Sequence, residues 1–244
     1  MTTQLEDITI GEIVARDFRA AAVFQRFGID FCCGGKRSVM DACRAANVEA
    51  GVVLDSLKEL GQEERASDDV AQWPLDLLVA HIVDTHHAYI RSAGPTISAY
   101  LDKLVEVHGA RHPELARVAH VFSEMNRDLA PHMMKEEHVL FPYIGELSQA
   151  SAGPPLPSPF GTVSNPIRMM EREHEEVGNG MRMIRELTND FTPPEDGCTT
   201  YRVCFAELRR FEEDLHRHVH LENNVLFPKT VSLELSLGRA HRAA

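Results

Sequence analysis

An eleven-residue phrase that pairs histidine with glutamate occurs twice in the chain. The first copy, 132–142, reads His-Met-Met-Lys-Glu-Glu-His-Val-Leu-Phe-Pro, and the second, 218–228, reads His-Val-His-Leu-Glu-Asn-Asn-Val-Leu-Phe-Pro. In both copies a glutamate follows the first histidine by four residues. Residues at this spacing share one face of a helix, about 5–6 Å apart at Cβ, so an imidazole and a carboxylate can reach one metal ion. Two such pairs facing each other would supply four of the ligands for a pair of iron atoms.

The segments that carry both copies have the pattern of long bundle helices. Apolar residues recur there at alternating steps of three and four, which is typical of a packing seam. The seam of the second bundle helix comprises Leu115, Val118, Phe122, Met125, Leu129, His132, Glu136 and Val139. The third comprises Ile167, Met170, His174, Val177, Met181 and Ile184, and the fourth comprises Cys204, Leu208, Phe211, Leu215, His218, Glu222 and Val225. With one more helix before them, these segments predict an all-α antiparallel four-helix bundle.

Five polar residues occupy seam positions that otherwise hold Leu, Val, Phe and Met: His132, Glu136, His174, His218 and Glu222. Burying an imidazole or a carboxylate costs several kcal/mol unless the group is paired or binds a metal. A lone histidine on an apolar stripe is usually a satisfied core residue, but five such groups on three helices favour a metal site. Mixed imidazole and carboxylate ligands suit iron or manganese better than the thiolates of structural zinc sites. Ferritin-like bundles use Glu-x-x-His instead, so the order found here indicates a different bundle family.

The first bundle helix, which begins near Pro74, should supply a further ligand, and two adjacent histidines compete for that role. A seam through Leu75 and Ile82 selects His86, whereas a seam shifted by one residue selects His87. Both patterns place the apolar residues of this helix equally well on one face. Periodicity therefore leaves the first ligand open between the two histidines.

Composition and charge exclude several classes of protein. The 244-residue chain has a formal net charge of −12 and no basic stretch, which argues against a nucleic-acid partner. It has no apolar run of membrane-spanning length and no signal peptide at its start, so we expect no membrane association. Its five cysteines include the adjacent pair Cys32 and Cys33, unlike a secreted disulfide framework. Reduced thiols and a cytoplasmic location are expected.

The chain is predicted to form two domains. Residues 1–62 have the pattern of a small helical domain, in which Thr9 and Glu12 form a capping box and one helix continues to Gly28. Residues 73–232 form the bundle. The connecting segments are polar or rich in Pro, Gly and Ser, and comprise residues 61–72, 148–166 and 192–197.

Several motifs resemble those of the di-iron iron–sulfur cluster repair proteins, also called the repair-of-iron-centres family. They span nearly the whole chain: Asp-Phe-Cys-Cys-Gly-Gly-Lys at 30–36, the first repeat at 132–137, Met-Glu-Arg-Glu-His-Glu-Glu at 170–176, Thr-Pro-Pro at 192–194, Cys-Thr-Thr at 198–200 and the second repeat at 221–228. The resemblance implies a small N-terminal domain that carries the double cysteine. It also implies a hemerythrin-like bundle holding two non-haem irons with an oxo or hydroxo bridge.

The same resemblance assigns the iron ligands. The ligands it implies are His87, His132, His174 and His218, with Glu136 and Glu222 as bridging carboxylates. The family places an aromatic residue just before the first ligand, and His86 stands at that position, so the match selects His87 over His86. A second departure is Asp128, one turn before His132, where relatives carry a glutamate that belongs to an access path. Glu173 is expected to line an acidic entry route, and Pro131 to kink the second helix.

The remaining cysteines and histidines receive different predictions. Cys32 and Cys33, exposed on a tight turn by the two glycines that follow, are expected to be redox-active or metal-transferring thiols. Cys43, Cys198 and Cys204 are interpreted as packing or surface residues. The histidines expected to be solvated or to support the site are His81, His120, His138, His216 and His220.

The leading hypothesis is repair of iron–sulfur clusters damaged by oxidative or nitrosative stress, by supplying iron, by handling nitric oxide, or by both. Its partners would be damaged iron–sulfur proteins, with nitric oxide or oxygen as small ligands. The alternative is a hemerythrin-like protein that binds or senses oxygen or nitric oxide. A di-iron oxidase is a third interpretation, and nitric oxide reductase or peroxidase side activity is compatible with the site. The sequence leaves open the direction of iron transfer, the client proteins and the oligomeric state, with a homodimer among the alternatives.

Overall fold

The computed structural model describes residues 8–60, 70–150 and 158–243, with side chains described as far as residue 238. Within these ranges the chain folds into helices joined by turns, with one isolated bridge between Thr9 and Ser38. The predicted connecting segments fall partly outside them, at residues 61–69 and 151–157. Each of the described helices is too short or too polar to span a bilayer. These observations confirm the predicted all-α class.

Contacts divide the chain into two compact units. Unit 1 comprises Met1–Val79, Leu147–Val163 and Arg217–Ala244, and unit 2 comprises Ala80–Glu146 and Ser164–His216. Both units draw on segments that are distant in the sequence. The domain limits 1–62 and 73–232 stay a prediction.

Short helices form the beginning of unit 1: α1 (Ile10–Arg16), α2 (Ala20–Arg26), α3 (Val39–Ala45) and α4 (Ala50–Leu60). The Thr9 side chain accepts from the Glu12 backbone and Glu12 bonds back to Thr9, which confirms the capping box. The prediction of one helix as far as Gly28 is wrong. The helix breaks because the Asp17 carboxylate accepts hydrogen bonds from the backbone N–H of Arg19, at 3.1 Å, and from its guanidinium. The second piece, α2, ends before Gly28, whose φ of 66° favours glycine.

The remaining helices are α5 (Leu75–His81), α6 (Ala88–His108), α7 (Glu114–Lys135), α8 (Phe141–Gln149), α9 (Ser164–Leu187), α10 (Thr199–Leu221) and α11 (Phe227–Ala243). Contacts at both ends show that α6 and α10 are antiparallel. His108, the last residue of α6, meets Cys198 just before α10, and His86, just before α6, meets Asp214 late in α10. Their apolar faces, with those of α7 and α9, form the core of the predicted four-helix bundle. Pro131 lies within α7, and the helix continues past it as far as Lys135.

Three π-helical segments join these helices end to end: Ile82–His87 between α5 and α6, Glu136–Leu140 between α7 and α8, and Glu222–Leu226 between α10 and α11. The Val-Leu-Phe-Pro tail of the repeat explains the second and third. A proline lacks the N–H for an α-helical hydrogen bond, and its ring clashes with the carbonyl four residues earlier. For Pro142 and Pro228 those carbonyls belong to His138 and Asn224, inside the π-helical segments. A wider turn relieves the clash, and such turns are frequent at functional sites.

The first two π-helical segments shift the buried seam by about one residue. The prediction that Val139 lies on the seam is wrong: Val139 is 47% exposed and Leu140 is buried in its place. In the first segment the seam of α5 leads to His86, while the seam of α6 leads back to His87, and both histidines are buried. Both alternative patterns in the sequence therefore describe the structure: one holds for α5, before the π-helical segment, and the other for α6, after it.

Candidate metal centre

Unit 2 brings together four of the predicted iron ligands. His87 closes the first π-helical segment, Glu136 opens the second, and His132 and His174 lie on the seams of α7 and α9. All four side chains are at most 2% exposed. The π-helical segments affect the site because the extra residue in each one changes the direction in which the side chain at its boundary points. The helical course of the chain continues through the segment.

The imidazoles converge on a single carboxylate. The Nε2 atoms of His87 and His132 each lie 3.4 Å from Oε2 of Glu136. The Nε2 atom of His174 lies 4.0 Å from Oε1 of Glu136 and 3.0 Å from Nε2 of His132. The ligand atoms of His132, Glu136 and His174 all lie within 4.8 Å of one another. A carboxylate with nitrogen atoms facing both of its oxygens is the geometry in which it can bridge two metal ions.

Two further carboxylates, those of Glu137 and Glu173, orient the rings of His87 and His132 and are called the outer carboxylates. The Nδ1 of His87 lies 2.6 Å from Oε1 of Glu137, which also accepts from Arg91 at 2.5 Å. The Nδ1 of His132 lies 2.8 Å from Oε2 of Glu173, whose other oxygen, Oε1, accepts from Lys135. When Nδ1 donates to a carboxylate, the lone pair of the ring is left on Nε2, the atom that faces Glu136.

The charge of these outer carboxylates follows from their partners. Burial raises the pKa of Glu137, but hydrogen bonds from His87 and Arg91 outweigh it, so that the pKa of Glu137 is lowered. Burial likewise raises the pKa of Glu173, and hydrogen bonds from Lys135 and His132 bring it below its ordinary value. Both groups are therefore ionised acceptors at neutral pH.

The second copy of the repeat places a matching pair in unit 1. His218 and Glu222 are fully buried, and Nε2 of His218 lies 3.1 Å from Oε1 of Glu222. As in the first copy, the glutamate opens a π-helical segment. The two halves of the repeat thus have the same local structure as well as the same residues.

His86, the competing candidate, has a different role in the structure. Its ring is 1% exposed, but Nδ1 lies 2.9 Å from Oδ1 of Asp214 and the ring packs edge-on against His81. Of the two adjacent histidines it is His87 that lies against Glu136. The geometry of unit 2 therefore favours His87 as the ligand from the first bundle helix.

The predicted thiol pair lies on a tight turn in unit 1, but the predicted exposure is wrong for Cys32, which is 6% exposed, while Cys33 is half-buried. Oδ1 of Asp30 accepts from the backbone N–H groups of Cys32 and Cys33, at 3.1 and 3.0 Å, and from Sγ of Cys32 at 3.2 Å. The hydrogen bond with Cys33 and burial raise the pKa of Cys32 well above the ordinary value of a thiol. The side chain of Asn224 holds the turn from the third π-helical segment, donating to the carbonyls of Phe31 and Cys32 at 3.3 and 3.0 Å.

Comparison with known proteins supplies the family. Residues 78–230 match the hemerythrin HHE cation binding domain, and residues 6–61 match the ScdA_N domain, a domain of unknown function (DUF542). The chain is 33% identical to the iron-sulfur cluster repair protein YtfE of Dickeya chrysanthemi (strain Ech1591), over 92% of this chain and 97% of that protein. It is 34% identical to YtfE of Yersinia pestis (strain Pestoides F), over 91% of this chain and 96% of that protein. The chain belongs to the iron–sulfur cluster repair protein family.

The donor set of the chain fits the cation site of its family. The groups that cluster in the core are imidazole nitrogens and carboxylate oxygens, the ligands that suit iron and manganese. Such a polar cluster in a core is costly unless an ion compensates for the lost hydration. A metal site at these residues therefore explains why the bundle tolerates them.

The sequence left His220 open between a solvated and a supporting role, and the structure places it in the core of unit 1. His220 is fully buried, its ring packs 6.1 Å from Phe18 and 5.9 Å from Phe31, and Nδ1 lies 3.2 Å from the amide nitrogen of Asn224. Burial, aided by Arg217, lowers the pKa of His220 to about 3, so the neutral ring accepts from Asn224. The first copy of the repeat has the exposed Met134 at this position, so the repeat itself could not reveal the role of His220.

A surface pocket of about 540 Å³ borders the cluster in unit 2. Its lining includes His132, together with the two acidic residues expected on an access path, Asp128 and Glu173. Asp128 is exposed and pairs with Arg127 at 3.2 Å. The pocket gives solvent and small molecules a route to the side of His132.

Proposed function

We propose that the chain binds two iron ions and uses them in the repair of iron–sulfur clusters damaged by oxidative or nitrosative stress. The proposed ligands are His87, His132, His174 and His218, with Glu136 and Glu222 as bridging carboxylates. The convergence of three Nε2 atoms on Glu136 carries this proposal. It is supported by the duplicated His-Glu pair and by relatives named as iron–sulfur cluster repair proteins.

Iron bound by imidazoles and carboxylates supplies a redox-active centre that binds diatomic ligands and exchanges more readily than iron in a thiolate cage. The chain's own groups prepare that site. Glu137 and Glu173 fix the rings of His87 and His132, the four ligand side chains of unit 2 are buried, and the pocket borders His132. The pocket is the proposed entry for nitric oxide or oxygen.

We assign Cys32 and Cys33 the role of receiving or passing on iron as cargo for a damaged iron–sulfur protein. Their sulfur atoms and Oδ1 of Asp30 lie within 4.8 Å of one another, close enough to bind a single ion. Cys32 is protonated in the resting turn, and Asp30 is positioned to accept its proton when the thiol binds metal. All five cysteines carry free thiols, which fits action in the reducing cytoplasm.

The second candidate is a hemerythrin-like protein that binds or senses oxygen or nitric oxide, and the pocket beside His132 favours it. A simple carrier, however, needs no thiol turn. Here the turn is held by Asn224, whose carboxamide lies so close to Gly11 and Gly35 that any added Cβ would overlap it. This built-in support favours repair over simple binding.

The decisive experiment measures bound iron and the reactivation of an oxidatively damaged iron–sulfur dehydratase with the full-length chain. Two irons per chain and reactivation are expected for the parent protein. Glu136→Ala and Glu222→Ala should lose both, whereas Cys32→Ser and Cys33→Ser should keep iron and lose reactivation. Glu175→Gln, next to a proposed ligand on the exposed face of α9, serves as the control.

Three outcomes separate the proposals. If Glu136→Ala and Glu222→Ala retain iron and reactivation, the site assignment is wrong. If the thiol variants reactivate the dehydratase as well as the parent does, the role of Cys32 and Cys33 is wrong. Stoichiometric binding of nitric oxide or oxygen without any reactivation would favour the carrier instead.

A further inference from the structure

A second chemically distinctive pair lies in unit 2, at the opposite end of α6 from His87. Sγ of Cys198 lies 3.2 Å from Nε2 of His108, the last residue of α6. The 21 residues of α6 separate His108 from His87, which corresponds to about 30 Å at 1.5 Å per residue. The Cys198–His108 pair therefore stands apart from the metal centre.

The environment of His108 indicates that its ring serves the thiol. The ring is 5% exposed, and Nδ1 has no hydrogen-bond partner among the described residues. Its edge contacts the ring of Tyr201, with centroids 5.5 Å apart, while Nε2 points at the sulfur. A buried imidazole against the sulfur of an exposed cysteine is the arrangement by which proteins activate a thiol.

The start of α10 favours the thiolate further. The backbone N–H of Tyr201 lowers the pKa of Cys198, and the backbone and hydroxyl of Thr200 add to this effect. These groups belong to the first turn of a 23-residue helix, where unpaired N–H groups attract negative charge. The thiol itself is exposed, so a reagent can reach it.

The other charged groups around the pair largely neutralise one another. Asp196 and Glu114 lie on either side of His112, at 3.0 and 3.1 Å, and Asp196 also pairs with Arg111 at 2.9 Å. The hydrogen bond with Asp196 raises the pKa of His112, which keeps positive charge beside both carboxylates. Burial raises the pKa of Tyr201 to about 12, so its phenol stays neutral.

We propose that Cys198 and His108 form a reactive thiolate–imidazole pair that undergoes exchange with small disulfides. The thiolate attacks one sulfur of the disulfide, a bond forms between Sγ of Cys198 and that sulfur, and the original S–S bond breaks. The departing thiolate takes a proton from the His108 imidazolium or from water. The product is a mixed disulfide that a free thiol reverses.

The test is the pH dependence of modification by glutathione disulfide in the full-length, iron-loaded protein. Peptide mass spectrometry separates the adduct at Cys198 from adducts at Cys32 and Cys33. The rate at Cys198 is expected to rise with a midpoint below the ordinary thiol value of about 8.5. A midpoint at the ordinary value would overturn the proposal without requiring any variant.

Substitution then isolates the part of His108. His108→Gln should move the midpoint upward and slow modification at pH 7 by about tenfold, because one pH unit changes the thiolate fraction tenfold. His120→Gln, an exposed histidine paired only with Glu124 in the described contacts, is the control and should leave the profile unchanged. An unchanged profile in His108→Gln would refute the pair. Iron content should stay at the parent level in both variants, which keeps this test independent of the repair proposal.

Discussion

Two neighbouring histidines show how the hydrogen-bond partners of a side chain determine its role. His86 and His87 are both buried and differ by one position, yet His86 faces Asp214 and His87 faces Glu136 and Glu137. The carboxylate behind Nδ1 of His87 has Arg91 as a second partner, so its charge is compensated before any metal binds. The orientation of a ligand ring is thus decided by groups on other helices.

This contrast yields a residue-scale prediction. His87→Gln should lose at least one of two bound irons, because it removes an Nε2 ligand that faces Glu136. His86→Gln, the matched neighbour, should keep both irons and lose only stability, because its partner is Asp214. Iron per chain, measured by plasma mass spectrometry on the purified variants, distinguishes the two. The opposite pattern would show that the wrong histidine has been assigned.

Residue types could be predicted where the same chemistry recurs at a seam. The pairs His132–Glu136 and His218–Glu222 could be recognised in the sequence because polar residues interrupt the apolar pattern of two helices at the same spacing of four residues. The sequence could not decide whether His220 is solvated or supporting, because the answer depends on Phe18 and Phe31, which are distant in the sequence. A sequence pattern predicts which residues share one face of a helix, but it does not predict which residues pack against that face.

At the scale of elements, the periodicity of the sequence did not predict the three π-helical segments. A pattern with a period of 3.6 residues predicts Val139 on the seam, but the inserted residue of the π-helical segment turns Val139 outward and Leu140 inward. The prolines at 142 and 228 were the available signal, since each clashes with a carbonyl inside such a segment. The first segment has no proline in the same position, and only the burial of both His86 and His87 reveals it.

The thiol turn gives a prediction about packed elements within unit 1. Gly35→Ala would push the carboxamide of Asn224 away, because the new Cβ would overlap it, and would break its bonds to the carbonyls of Phe31 and Cys32. At about 1 kcal/mol for each hydrogen bond, the free energy of unfolding should fall by about 2 kcal/mol. Urea denaturation measures this change.

The control for this prediction is Gly51→Ala in α4, where the added Cβ meets only a Glu49 side-chain oxygen at 3.8 Å. Alanine is the better helix former by about 1 kcal/mol, so this variant should be as stable as the parent or slightly more stable. Faster modification of Cys32 and Cys33 is expected in Gly35→Ala alone. Equal stability and equal thiol reactivity in the two variants would show that Asn224 does not support the turn.

At the scale of the whole molecule, fold and function make opposite demands on the core. The all-α class and the four seams could be predicted because most buried positions are apolar at helical spacing. The proposed ligands His87, His132, His174 and Glu136 in unit 2, and the pair His218 and Glu222 in unit 1, are costly for the protein without metal. A protein of this kind should gain much of its stability from the ion that these residues bind.

Iron removal should therefore lower the melting temperature of the parent. At free iron about one hundred times the dissociation constant, binding adds about 2.7 kcal/mol, which corresponds to roughly 5–10 °C for a chain of this size. Glu136→Gln should show little further change on chelation, since it lacks the carboxylate on which the imidazoles converge. Arg185→Met is the control, because it breaks the pair with buried Glu212, far along the bundle, and should lower the melting temperature equally with and without iron. Differential scanning calorimetry before and after chelation checks all three. Two results would contradict a coupling between iron binding and folding stability. One is a parent protein whose melting temperature does not change on chelation. The other is a Glu136→Gln variant whose melting temperature falls on chelation as far as that of the parent.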